Sequence, residues 1–295
     1  ESVVLLPEKG GDVFLSVDSR LNEKMYQTIE SLANEKGFTG GAGVIMDVNT
    51  GEILALTSYP EYDQNVVANG SDKSEINKLL NDKRTPFLNR VVSGLYTPGS
   101  IVKPIVALGA LNEKVIDPYK EILSTGALTL PNPYNPDKPS IFKDWKAHGL
   151  VNMREAIAMS SDVYFYEVGG GFGNQKGLGI TKLDEYFSLF GYNEFTGIDL
   201  PSESLGYIAT PQWKAENFPD DTDWRVGNTY HTSIGQYGTQ ITPLSAVRSI
   251  AAIANGGKML KPSVLLGGQT TEARVTRSID LNQEYFAQSS ISLHC

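Results

Sequence analysis

Two short runs, GAGVIMDV over 41–48 and EILALTS over 52–58, flank Asn49-Thr50-Gly51 and read as a β-hairpin. Both are nearly continuous in apolar residues, so neither face can be left to water and the hairpin must lie between covering layers. The rest of the pattern supplies helices for that purpose. Leu21, Met25, Ile29 and Leu32 share one helical face from Ser19 onward, and Gly37 stops the run. A short helix is expected over Glu75–Leu80, and longer ones over 153–168, 181–190 and 243–254, the last opened by Thr242-Pro243 and closed by Asn255-Gly256-Gly257. Residues 59–70 read as a polar loop, and 131–140, with four prolines, as irregular chain. No internal repeat is present. A hairpin followed by long helical stretches predicts an α/β (α+β) chain, a mixed sheet with a helical layer.

Composition narrows the function. With 295 residues, 40% of them hydrophobic, the chain has enough apolar material for a large buried core. Lys and Arg total 25 against 34 Asp and Glu, a net charge of −9, which disfavours nucleic acid and anionic lipid surfaces as partners. No apolar stretch approaches the ~20 residues of a membrane span. Cys295, the only cysteine, forms no intramolecular disulfide or cysteine metal cluster, and His148, His231 and His294 lie far apart in sequence.

Chemistry enters at Tyr96-Thr97-Pro98-Gly99-Ser100-Ile101-Val102-Lys103. Pro98-Gly99 breaks the chain and the apolar run to Leu111 reads as a buried helix, which puts Ser100 at its start and Lys103 one turn along on the same face. A serine hydroxyl needs a base to become a nucleophile, and a lysine whose amine is freed by burial can be that base. The helix start also offers backbone N–H groups to an oxyanion. Pro104 is expected to distort the first turn. Ser-x-x-Lys arises about once by chance in a chain of this length, and Ser140-Ile141-Phe142-Lys143 is such a stray, opening no apolar helix. A second candidate is Ser160-Ser161-Asp162, where a hydroxyl and a carboxylate enter one cleft if the helix is interrupted there. The same spacing at Ser16/Asp18 and Ser278/Asp280 makes it weak by itself, and a capping serine beside a solvated aspartate is the alternative.

In this order the residues resemble the motifs of penicillin-binding proteins and serine β-lactamases, Ser-x-x-Lys followed by Ser-x-Asn or Ser-x-Asp. The resemblance runs from about residue 12 to 265. Asp47–Leu56, Tyr62-Asp63-Gln64-Asn65, Asn89-Arg90, Thr196-Gly197-Ile198-Asp199-Leu200-Pro201, Ser233-Ile234-Gly235-Gln236 and Thr242-Pro243-Leu244 are similar to class B transpeptidases. Asp162 with Tyr164-Phe165-Tyr166 is most similar to the elongation-type, penicillin-binding protein 2-like members.

The resemblance implies an antiparallel sheet with helices on both faces plus a helical subdomain. It implies a serine D,D-transpeptidase that cross-links peptidoglycan stem peptides ending in D-Ala-D-Ala, is acylated by β-lactams, and uses no cofactor. Ser100 would be the nucleophile, Lys103 its base, Ser160 the proton relay and Asp162 its orienting partner, with Tyr96, Gly99, Gly235 and Gln236 binding substrate. It further implies the periplasmic face of a bacterial inner membrane, an anchor in an N-terminal segment outside this chain, and elongation-machinery membrane proteins as partners. Residues 1–12 would then be a linker, 13–289 the transpeptidase domain and 290–295 an atypical tail. The family's third motif, Lys-Thr-Gly or Lys-Ser-Gly, does not follow Gly257, so the terminal strands and helix are expected to be missing and the domain incomplete. Residues 281–289 resemble the helix that precedes that motif. A β-lactamase or D,D-carboxypeptidase, or an impaired stem-peptide-binding fragment, are the competing readings. Some elongation-type relatives hold a metal near Asp144 and His148, but their cysteine ligand, three residues before Ser160, is Ile157 here. A structural hydrogen bond is therefore expected for that pair. Gly169–Gly173 is expected to be a bend rather than a phosphate loop, and Trp145, Trp213 and Trp224 packing or cleft-wall residues.

Overall fold

The computed structural model describes residues 10–70, 72–132, 135–267 and 274–291. The first nine residues of the expected linker and residues 292–295 of the tail lie outside the described residues. Helix α1 (Ser19–Lys36) starts where the Asp18 carboxylate accepts the Arg20 and Leu21 amides, and stops at Gly37, whose φ of 73° ends it in the left-handed region. Strands β1 (Gly41–Met46) and β2 (Ile53–Tyr59) pair antiparallel, with a bulge at Ile45/Met46. Strand β1 ends earlier than the apolar pattern suggests because the Asp47 carboxylate takes the Asn49 and Thr50 amides and starts the turn at once. The hairpin is covered from both sides. Helix α1 packs on one face, and a core of Met46, Ile53, Val91, Val92, Ile198, Leu244, Ala251 and Leu260 fills the other. Strand β1 is only half-buried and Ile45 is exposed, so the double cover is less complete than the sequence suggests.

The expected loop over 59–70 contains helix α2 (Gln64–Asn69), capped by Asp63 and closed by Gly70. Helix α3 (Lys73–Asn81) contains the expected 75–80 segment. A 3-10 turn over Gly99–Val102 leads into α4 (Lys103–Asn112), in which every residue from Lys103 to Leu111 is buried. Two small antiparallel ladders follow, β3 (Ile122–Ser124) with β6 (Gly149–Val151), and β4 (Ala127–Leu130) with β5 (Ser140–Lys143). The stray Ser140/Lys143 pair therefore lies on a strand, where residues three apart point to opposite faces.

The helix expected over 153–168 is two helices, α5 (Met153–Ala158) and α6 (Asp162–Gly170), broken at 159–161. Ser161 caps the second by accepting the Tyr164 amide. Helices α7 (Gly179–Leu189), α8 (Pro211–Asn217) and α9 (Val226–Ser233) complete the helical region, in which α4 is central and packs against α5, α6 and α7. Gly169 and Gly170 let α6 and α9 approach closely, since a Cβ there would sit 2.3 Å from Ser233 Cβ and 2.4 Å from the Tyr230 ring. Helix α10 (Pro243–Ala254) has the expected boundaries and Thr242 cap. Strands β7 (Lys258–Leu260) and β8 (Val275–Ser278) pair, and α11 (Gln283–Ile291), which begins and ends two residues later than the expected 281–289 helix, packs on α4. Among the described residues the strands pair two by two, and no helix is long and apolar enough to cross a membrane.

Candidate active site

Ser100 is exposed on the 3-10 turn that opens α4. Gly99 precedes it with φ of 61°, a conformation that any other residue adopts only at a cost. That turn is braced from behind by Gly235, whose carbonyl accepts the Gly99 amide at 2.9 Å. Gly235 is itself at φ 73°, and a Cβ on it would sit 2.2 Å from the Gly99 oxygen. Of the two substrate contacts that the resemblance implies here, Gly235 is buried behind the Ser100 turn and Gln236 beside it is exposed.

Lys103, one turn along, is 1% exposed. Its Nζ donates to Asp162 Oδ1 at 2.6 Å, to the Ser160 carbonyl at 2.8 Å and to Ser160 Oγ at 3.1 Å, and lies 5.6 Å from the Phe165 ring centroid. Burial pulls the amine below its ordinary value, and Asp162 opposes the shift without cancelling it. Lys103 thus contacts two of the other three expected catalytic residues, Ser160 and Asp162. The Ser100 hydroxyl makes no hydrogen bond among the described residues, to Lys103 or to any other group; such bonds commonly tighten only when substrate is bound.

The break between α5 and α6 presents the second motif. Ser160 has φ of 54°, in the left-handed region, which turns its carbonyl and its hydroxyl toward Lys103. Asp162 follows in the first turn of α6, where the helix dipole favours a carboxylate. Behind the turn is a group whose part is not evident from the sequence. Asp144 Oδ2 accepts from Ser161 Oγ and the Val163 amide, each at 3.0 Å, and from Ser124 Oγ at 3.2 Å, while Oδ1 accepts the Trp145 amide at 2.8 Å. Burial pushes this carboxyl up, but the amides of Val163 and Asp162 and the Ser161 hydroxyl outweigh it and hold the group below the usual carboxylate range. His148 Nε2 faces Asp144 Oδ1 at 3.4 Å, the expected contact of that pair. Among the described residues no three His, Cys, Asp or Glu side chains gather as a metal site.

Trp145 is exposed at the rim of the site and donates its indole Nε1–H to the Ser160 carbonyl at 3.3 Å. Trp213 packs on Tyr207 and Phe218, and Trp224 packs on Tyr237. Tyr96 pairs with Ile241 as an isolated antiparallel bridge and, with Arg90, Thr97, Ile101 and Thr242, lines a cavity of about 450 Å³ beside the Ser100 turn.

An exposed serine at a helix start, with a buried lysine amine held by a second serine and a carboxylate, is an arrangement suited to acyl transfer through a serine ester. The chain belongs to the penicillin binding protein transpeptidase domain family, whose model matches residues 41–288. It is 37% identical over 261 residues to the peptidoglycan D,D-transpeptidase MrdA of Acinetobacter baumannii, a match covering 88% of this chain and 36% of that protein. The solved penicillin-binding protein PBP2 of Helicobacter pylori superposes with a TM-score of 0.79 at 32% identity, covering 98% of this chain and 50% of that one. PBP2 in its solved complex with MreC from Helicobacter pylori gives 0.78 at 32% identity, covering 95% and 48%. The chain thus spans about a third of the length of the curated relative and about half of the solved chains.

Proposed function

We propose that this chain carries the D,D-transpeptidase reaction of an elongation-type penicillin-binding protein. The observation that supports it most is the buried Lys103 amine, bound to both Ser160 and Asp162 one turn from the exposed Ser100. Ser100 Oγ attacks the penultimate D-alanine carbonyl of a stem peptide and passes its proton to Lys103. The negative oxygen of the tetrahedral intermediate is met by backbone N–H groups at the Ser100 turn. Collapse expels the terminal D-alanine, whose nitrogen receives the proton through Ser160. An amine from a neighbouring stem then attacks the ester, which forms the cross-link and restores Ser100. A β-lactam enters the same first step and remains as the ester. The similarity to a PBP2 that is solved with MreC supports work with a membrane partner of that kind on the outer face of a bacterial inner membrane.

Intact mass after incubation with excess penicillin tests the reading. One adduct on the wild type and none on Ser100→Ala is the expected result. No adduct on a folded wild type refutes it, and turnover of a chromogenic cephalosporin would point to a hydrolase instead.

A further inference from the structure

The turn that delivers Ser160 and Asp162 is unfavourable on its own. It interrupts a helical run and holds a serine at φ 54°. The resemblance to elongation-type members implies a metal here, yet this site does not fit one. Asp144 and His148 are two candidate ligands, and Ile157, buried three residues before Ser160, offers no donor. Structural zinc takes four ligands. Both Asp144 oxygens already accept hydrogen bonds from Ser161, Val163, Ser124 and Trp145. The buried His148 Nδ1 has no partner, but a single imidazole nitrogen does not make a chelate.

We infer that Asp144 and Trp145 are positioning residues which hold the Ser160–Asp162 turn by hydrogen bonds alone, without a metal. Asp144 fixes the C-terminal side of the break through the Ser161 hydroxyl and the Val163 amide. The indole of Trp145 fixes the other side by sharing the Ser160 carbonyl with Lys103. That carbonyl therefore stays in place when Lys103 exchanges its proton, and Ser160 Oγ stays within reach of the amine. The inference rests on the proposed function for its effect on rate, and on the geometry alone for its effect on the turn.

Three measurements on the full chain decide it. In Asp144→Ala, deuterium uptake by the amides of residues 161–164 rises at least about tenfold, since no acceptor is left for the Ser161 hydroxyl and the Val163 amide. Trp145→Phe keeps a ring and loses the donor, so the penicillin acylation rate at saturation falls about tenfold while half-saturation and melting temperature stay unchanged. The purified wild type carries less than a tenth of an equivalent of zinc, and its acylation is indifferent to EDTA. Unchanged uptake in Asp144→Ala, stoichiometric zinc, or a Trp145→Phe effect confined to half-saturation each overturns the inference. A wild type without any adduct refutes the proposed function instead, and the uptake result then decides the clasp.

Discussion

Replacing Asp162 by asparagine removes the carboxylate 2.6 Å from Lys103 Nζ and keeps an oxygen that can accept from it. Burial already pulls the Lys103 amine below its ordinary value against the attraction of Asp162; with the charge gone, only the more distant Asp144 opposes it. The variant then has two options. It can keep a buried ammonium without its counter-charge, at about 3–5 kcal/mol, or it can release the proton. The second option sets a ceiling. Stripping a proton from a lysine of ordinary pKa about 10.4 costs about 1.36 kcal/mol per pH unit, hence about 4.6 kcal/mol at pH 7 and about 1.9 kcal/mol at pH 9. In the variant the unfolded chain binds a proton that the folded chain does not, so its stability rises with pH across that window. The wild type, whose lysine holds its proton more firmly, gains less. The deficit of the variant therefore narrows from about 3 kcal/mol at pH 7 to below about 2 kcal/mol at pH 9. Thermal melts resolve this as a deficit of about 6 °C shrinking to about 4 °C or less, at about 2 °C per kcal/mol in a chain of this size. A deficit that is constant or grows with pH would mean that Lys103 keeps its charge without Asp162, and the argument that burial can free its amine would fail.

Gly235→Ala brings a Cβ to 2.2 Å from the Gly99 oxygen on a left-handed backbone, whereas Gly99→Ala meets nothing within 4 Å. Denaturant unfolding should rank them at about 3 kcal/mol or more against about 1–2 kcal/mol lost, and the reverse order would contradict the bracing of the Ser100 turn. Burial pushes Glu167 up to about 6, with Lys120 opposing, so the folded chain holds a proton that the unfolded chain has released. Stability from this group is therefore present below about pH 4.5 and lost as pH rises through 6, by up to about 2 kcal/mol. Glu167→Gln should flatten that part of the stability profile, and an unchanged slope would refute it.

Ser100 and Lys103 were legible because their relation is local. A proline-glycine break, an apolar run and a three-residue spacing place both on the first turn of one helix, and the fold differs only in making that turn 3-10. The same logic disposes of Ser140 and Lys143, whose spacing has no such meaning on a strand. The hairpin and α10 were legible for similar reasons, each carrying its own turn or cap. The break at Ser160 was not. Residues 153–168 satisfy a helical pattern throughout, and what stops the helix is the carboxylate of Asp144, which reaches Ser161 and Val163 from across strand β6 and helix α5. The hydrogen bond from the Gly99 amide to the Gly235 carbonyl was not legible for a like reason, since it joins residues far apart in sequence.

These two long-range contacts have the same physical purpose. Each of the two motifs sits on backbone that would relax if left alone: Gly99 at φ 61° and Ser160 at φ 54°. Each is held by a partner distant in sequence, Gly235 for the first and the Asp144–Trp145 pair for the second. Helix α4 joins them rigidly, because Lys103 belongs to its buried face and reaches across to Ser160 and Asp162. On the proposed mechanism the amine must serve both serines, so displacing either turn by an ångström would slow the proton relay. On the proposed reading four polar side chains carry the chemistry, and Gly235, Asp144 and Trp145 set the geometry of the turns that present them. Substitutions at Gly235, Asp144 or Trp145 should accordingly act on rate through the turns they hold, leaving the chemical groups themselves intact.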